Sequence, residues 1–139
     1  MSNVNFIFNP FTTKLEIVKG PSAQSIVRTY GCSSTTIIGD LVYFNPSVGE
    51  SVLPESGNVN VNPVIGIVIN KLSIEVCEVM LQGVMTGFLG LSIGKKVFLS
   101  NSGFITDSVV TSGYLQSLGV ASDDDTISFN PNYTRVLRV

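Results

Sequence analysis

The sequence predicts an all-β fold, a compact barrel or sandwich of short antiparallel strands built from two repeated halves and preceded by an extended N-terminal arm. Three observations predict it. The apolar runs, such as Val97-Phe98-Leu99, are of strand length and rich in β-branched residues, which favours pleated over helical backbone. Turn chemistry cuts them at short intervals, as at Asn101-Ser102-Gly103 and Asn130-Pro131-Asn132, where Gly, Asn and Pro supply turn geometry. The third observation is an internal echo. Ile38-Gly39-Asp40-Leu41-Val42-Tyr43-Phe44-Asn45 returns 55 residues later from Ile93, with Ile-Gly, a charged residue and a Val-aromatic-apolar run in the same order. Val64-Ile65-Gly66-Ile67-Val68 matches Ser117-Leu118-Gly119-Val120-Ala121 at an offset of 53, and Ile74-Glu75-Val76 matches Ile127-Ser128-Phe129 at the same offset. The repeats are thus expected at residues 38–84 and 93–139.

Residues 1–21 form the arm. Asn9 precedes Pro10 and is kept out of the helical region, while alternation over residues 14–18 predicts an extended segment before the break at Gly20-Pro21. Phe6, Phe8 and Phe11 stand too close together to remain in water, so the arm packs on its own domain or into a groove of another chain. The β domain, residues 22–139, begins with a strand at Ile26-Val27-Arg28-Thr29-Tyr30, on which Arg28 and Tyr30 share a face. A polar linker leads to the strand after Gly39. The Ser-, Gly-, Pro- and Asn-rich residues 46–63 read as a surface excursion, followed by a strand over residues 64–70. Residues 72–85 are apolar on both faces around Glu75 and Glu78, which reads as a strand, with helix as the alternative. In the second half, the hairpin around Asn101-Ser102-Gly103 precedes strands at residues 114–121, 126–129 and 133–139, with a turn at Asp123-Asp124-Asp125.

Composition bounds the function. The 139 residues fit one domain with a sizeable core. Only 13% are charged, about half the usual share, so copies of the chain or a larger assembly are expected to cover its surface. A net charge of −2 offers no basic footprint for nucleic acid. The apolar runs fall far short of a membrane helix, and no charged-then-apolar segment opens the sequence, so synthesis in the cytosol and no membrane partner are expected. Cys32 and Cys77 read as free buried thiols, with one bridge as the alternative.

The chain holds no histidine, which removes the usual general base and the Ser-His-Asp and Cys-His routes. Asp123-Asp124-Asp125 lacks the alternating spacing and distant Glu of a calcium loop, and Lys95-Lys96 lacks the spacing of a phosphate loop. No enzyme activity, metal or cofactor is therefore expected. Arg28, Glu75, Glu78, Arg135 and Arg138 are interface candidates, the two C-terminal arginines being expected to pair with Glu75, Glu78 or a neighbouring subunit. Tyr30, Tyr43, Tyr114 and Tyr133 read as core aromatics, with a glycan platform as the alternative.

One stretch resembles a known peptide. Phe8-Asn9-Pro10-Phe11-Thr12-Thr13-Lys14-Leu15-Glu16-Ile17-Val18 is similar to the "NPFTGKLD" segment that opens many structural proteins of tailed-bacteriophage virions, among them tail, fibre and head-attached proteins. Thr13 stands where that family has Gly, and Glu16 where it has Asp. Residues 38–139, with Ile-Gly leading Val97-Phe98-Leu99 and then Gly119-Val120-Ala121 and Asp125-Thr126-Ile127, also resemble small all-β phage domains. The resemblance implies a virion protein made in the host cytoplasm, expected as a head decoration protein, most simply trimeric, with virion proteins of the capsid or connector as partners. Phe6, Phe8, Asn9, Pro10, Phe11, Leu15 and Ile17 would be its docking residues. A tail or fibre adaptor is the alternative within that family. A carbohydrate- or small-ligand-binding β-barrel module is the alternative outside it.

Overall fold

In the computed structural model, which describes residues 17–18, 25–57 and 62–138, strands form where apolar runs meet turn residues. Their order is β1 (Ile17–Val18), β2 (Ile26–Gly31), β3 (Leu41–Phe44), β4 (Val52–Pro54), β5 (Gly66–Ser73), β6 (Val76–Thr86), β7 (Lys96–Leu99), β8 (Ile105–Thr106), β9 (Gly113–Leu115), β10 (Ser117–Ala121), β11 (Thr126–Phe129) and β12 (Val136–Arg138). All the strand ladders are antiparallel, and the main sheet runs β4-β3-β5-β6-β11-β10-β7-β8, strongly curled into a half-barrel. β9 and β12 form a separate ribbon.

The two halves repeat down to the register. In the first, Leu41 lies opposite Ile67, Val42 opposite Gly66 and Phe44 opposite Val52; in the second, Lys96 lies opposite Val120, Val97 opposite Gly119 and Leu99 opposite Ile105. The loops repeat too. Gly39 N–H donates to Val68 O at 2.8 Å and Gly94 N–H to Ala121 O at 2.7 Å, while Asn45 N–H to Ser51 O (2.8 Å) recurs as Ser100 N–H to Phe104 O (2.7 Å). Gly39 and Gly94 sit at φ 97° and 83°, a left-handed conformation that glycine adopts without strain, which is why the Ile-Gly pair recurs in the sequence.

One alignment is corrected. Residues 72–85 are neither one strand nor a helix. β5 extends to Ser73, Ile74 and Glu75 turn the chain, and β6 returns. Val68 then faces Val79 as Ala121 faces Ile127, so Ile127 corresponds to Val79 at an offset of 48, and the expected match to Ile74 fails because the first hairpin is longer by five residues. Bulges between Val68 and Asn70 and between Lys71 and Ser73 accompany the longer hairpin.

Two cores follow the repeat. Val42, Ile65, Val68 and Val79 line the first, with Cys32, Val52 and Cys77. Their counterparts Val97, Leu118, Ala121 and Ile127 lie in the second, with Met85, Leu99 and Phe129, and this second core is shared, since Leu41, Val64, Ile67, Ile69 and Met80 of the first half also pack into it. β6 serves both halves: its first part pairs with β5 and β2, its last with β11 and β1. A parallel bridge between Gly31 and Ser51 brings the end of β2 beside β4, so the first half closes upon itself.

Candidate docking surfaces and a buried polar node

Phe6, Phe8, Asn9, Pro10, Phe11 and Leu15 lie outside the described residues. Of Ile17, the backbone pairs with Met85 on β6. Arg28 is exposed on β2 opposite Val79, next to the position opposite Glu78. Glu78 is half-buried and accepts Asn70 Nδ2 at 3.1 Å. Glu75 is exposed at the β5–β6 turn, and Arg138 is exposed on β12 opposite Gly113. Arg28 and Glu78 thus sit one register step apart, with side chains on opposite faces of the sheet, and Arg138 lies on the separate ribbon.

Arg135 pairs differently from expectation. Its Nη2 donates to Glu55 Oε2 at 3.1 Å and its Nε to Gln116 Oε1 at 2.9 Å. The Arg135 and Glu55 side chains are 2% and 0% exposed. A planar guanidinium suits this site, because it meets a carboxylate and an amide oxygen at once. Gln116 extends the node, donating from Nε2 to Val64 O at 2.8 Å and Asn132 O at 2.9 Å while its Oε1 accepts Val64 N–H at 2.8 Å. The node ties the loop after β4, the β9–β10 junction and the C-terminal segment together. It also corrects the reading of residues 46–63 as a plain surface excursion, since Glu55 inside that loop is buried. Sequence reasoning missed Glu55 and Gln116 as partners: they lie 80 and 19 residues from Arg135, a separation no local pattern spans.

Lys71 was also missed, and it is a clamp. Its Nζ donates to the carbonyls of Ser33, Thr36 and Ile74 at 3.1, 2.9 and 2.8 Å, gathering the linker before β3 onto the β5–β6 turn.

Between the halves lies an apolar cavity of about 240 Å³, walled by Ile38, Leu41 and Ile67 from the first half, Phe88 from the linker, and Phe104 and Ile105 from the second half. Ile37 and Phe104 at its mouth are 62% and 68% exposed. Among the described residues, Asp40 is the one acid in its lining. The Asp40 carboxylate accepts Ile37 N–H at 2.9 Å; burial raises its pKa, with that hydrogen bond and Lys71 opposing the rise.

The other polar clusters serve the fold. The carboxylates of Asp123, Asp124 and Asp125 are exposed and within 4.8 Å of one another. Locally, Asp123 Oδ1 accepts Asp124 N–H at 2.8 Å and Asp125 Oδ1 accepts the Thr126 hydroxyl at 2.7 Å. The carbonyls of Asp124 and Asp125 hold the inter-half linker through Leu91, Gly87 and Phe88 N–H groups. Lys95 and Lys96 are exposed at the start of β7. Nearby, Asp107 accepts Ser92 N–H at 2.9 Å, the bond that chiefly holds its carboxyl below the usual range. Tyr30 meets Phe44 edge-on with ring centroids 5.5 Å apart, Tyr43 and Tyr114 are half-buried and Tyr133 is exposed. Cys32 and Cys77 are buried free thiols, and burial, with a hydrogen bond to Cys32, pushes the Cys77 thiol up to about 12.

No family model matches the sequence, and no curated protein matches it.

Proposed function

We propose that this chain is a non-enzymatic structural protein of a tailed-phage virion, a head decoration protein that docks on the capsid or connector through its N-terminal arm. The observation that carries the proposal is the string from Phe8 to Val18, with its resemblance to the peptide that opens such proteins. The charge-poor composition supports an assembled state. So do exposed apolar side chains on several loops, among them Ile74, Leu89 and Ile93. Asn9-Pro10 between Phe8 and Phe11 limits the free ensemble of the arm and lowers the ordering cost of capture.

The second reading, a tail or fibre adaptor, is favoured by the same string, because similar peptides open tail and fibre proteins. Deleting residues 1–16 tests both. The truncated chain is expected to fold and to lose co-sedimentation with phage particles. Full occupancy of particles by the truncated chain would sink the docking role. Gold-labelled full chain viewed by electron microscopy separates head from tail.

A further inference from the structure

Cys32 and Cys77, the chain's two thiols, have no part in docking, yet the fold brings them together. Tyr30 lies opposite Cys77 and Gly31 opposite Val76 on the β2–β6 ladder. Cys32 N–H carries that register one rung further by donating to Glu75 O at 2.8 Å. Residues two apart on extended backbone share a face, so Cys32 stands on the face of Tyr30 and Cys77, diagonally across from Cys77. Both thiols are buried in one core with Val42, Val52 and Val79, and they hydrogen-bond to each other. Diagonal positions of an antiparallel pair are about 7–8 Å apart, at the outer limit of what a disulfide spans without backbone movement. Cys32 is placed to make that movement: it lies one residue past the end of β2, where the linker to β3 begins.

We propose that Cys32 and Cys77 form a reversible redox clasp, free as the chain folds and closed to a disulfide by a small disulfide oxidant such as oxidised glutathione. Exposure sets the order of events. Cys32 is 7% exposed and Cys77 0%, so Cys32 is the entry thiol, reached when the turn at residues 34–35 opens. Its thiolate attacks one sulfur of oxidised glutathione; a mixed disulfide forms at Cys32 and one glutathione thiolate leaves. The Cys77 sulfur then attacks the Cys32 sulfur and displaces the second glutathione. Two protein thiols are oxidised, one glutathione disulfide is reduced to two thiols, and the two cysteine protons pass to them. Burial keeps Cys77 protonated until that second step, so it reacts with its neighbour alone. Because closure draws Cys32 off its resting position, the bond is strained and readily reduced, which suits a switch better than a staple. The same movement shifts the root of the linker that Lys71 Nζ holds through Ser33 O and Thr36 O. That linker carries Ile37 and Ile38 to the cavity between the halves, so the state of the clasp reaches the seam of the molecule. The clasp is independent of the phage reading, since it concerns only the chain's own thiols.

The test is oxidation of the folded full chain with oxidised glutathione, followed by unfolding in iodoacetamide and measurement of the intact mass. The parent is expected to go from two alkylated thiols to none, with no glutathione retained and the mass still that of one chain. Excess reduced glutathione should restore both thiols. Cys77→Ser should stop at a lasting glutathione adduct on Cys32, whereas Cys32→Ser should stay unmodified while native, because Cys77 is reached only through its neighbour. If either serine variant fails to fold, the alanine variant takes its place. A parent chain that keeps both thiols free, retains glutathione, cross-links to a second copy or resists reopening would overturn the proposal. So would a Cys32→Ser chain that takes up glutathione as fast as Cys77→Ser, since that outcome marks bridging in the unfolded chain.

Discussion

Arg135 and Glu55 show how a single residue organises the end of the chain. Both side chains are almost wholly buried, so removing one breaks a buried ion pair. Arg135→Met should cost roughly 3–5 kcal/mol, the usual penalty for breaking a buried ion pair by removing one member. Pairing it with Glu55→Leu should recover most of that loss in urea denaturation. Recovery would identify the penalty as the broken ion pair, whereas a deeper loss would identify it as packing. Cys77 gives a pH signature. Its folded thiol is pushed up to about 12 from an ordinary 9.0, so the unfolded chain ionises first as pH rises. Stability linked to this group is therefore intact below about 9 and falls as pH climbs towards about 12. Cys77→Ala should flatten that alkaline decline, and native protein at neutral pH should resist alkylation at this position until unfolded.

At the scale of the strands, Gly66 and Gly119 hold equivalent places in the two β ladders. A Cβ on Gly66 would meet Met80 O at 2.6 Å and clash with Val79, and one on Gly119 would collide with Ser128 O at a φ of +147°. Each Gly→Ala change should therefore cost at least about 2 kcal/mol. Gly49→Ala, with open space around it, should be nearly neutral in the same melts. These glycines also explain what was legible in the sequence. The Ile-Gly pairs and the central glycines recur because backbone geometry requires them, so the repeat and the all-β class could be read directly. The β5–β6 hairpin could not, because Ile74-Glu75 carries neither Gly nor Pro to mark its turn. The polar node was equally hidden: Gln116 breaks an apolar stretch in a way that any solvent-facing strand residue would. The cavity arises only when Phe88 of the linker and Phe104 of the second half meet Ile38 and Ile67 of the first.

As a whole, the molecule presents few charges and many exposed apolar side chains, and self-association should follow. Light scattering is expected to give about three times the 14.9 kDa chain mass; a stable monomer at high concentration would count against the trimer. Within one subunit, β6 sets a different constraint. It closes the first half and also pairs with β11 of the second, so the second half lacks its flanking strand without the first. Calorimetry should accordingly show one melting transition with equal van't Hoff and calorimetric enthalpies. Backbone cleavage at the exposed Leu89-Gly90 link should leave β6 with the N-terminal fragment, so the C-terminal fragment is expected to be unfolded alone and to regain structure when mixed with the other, a natural split protein.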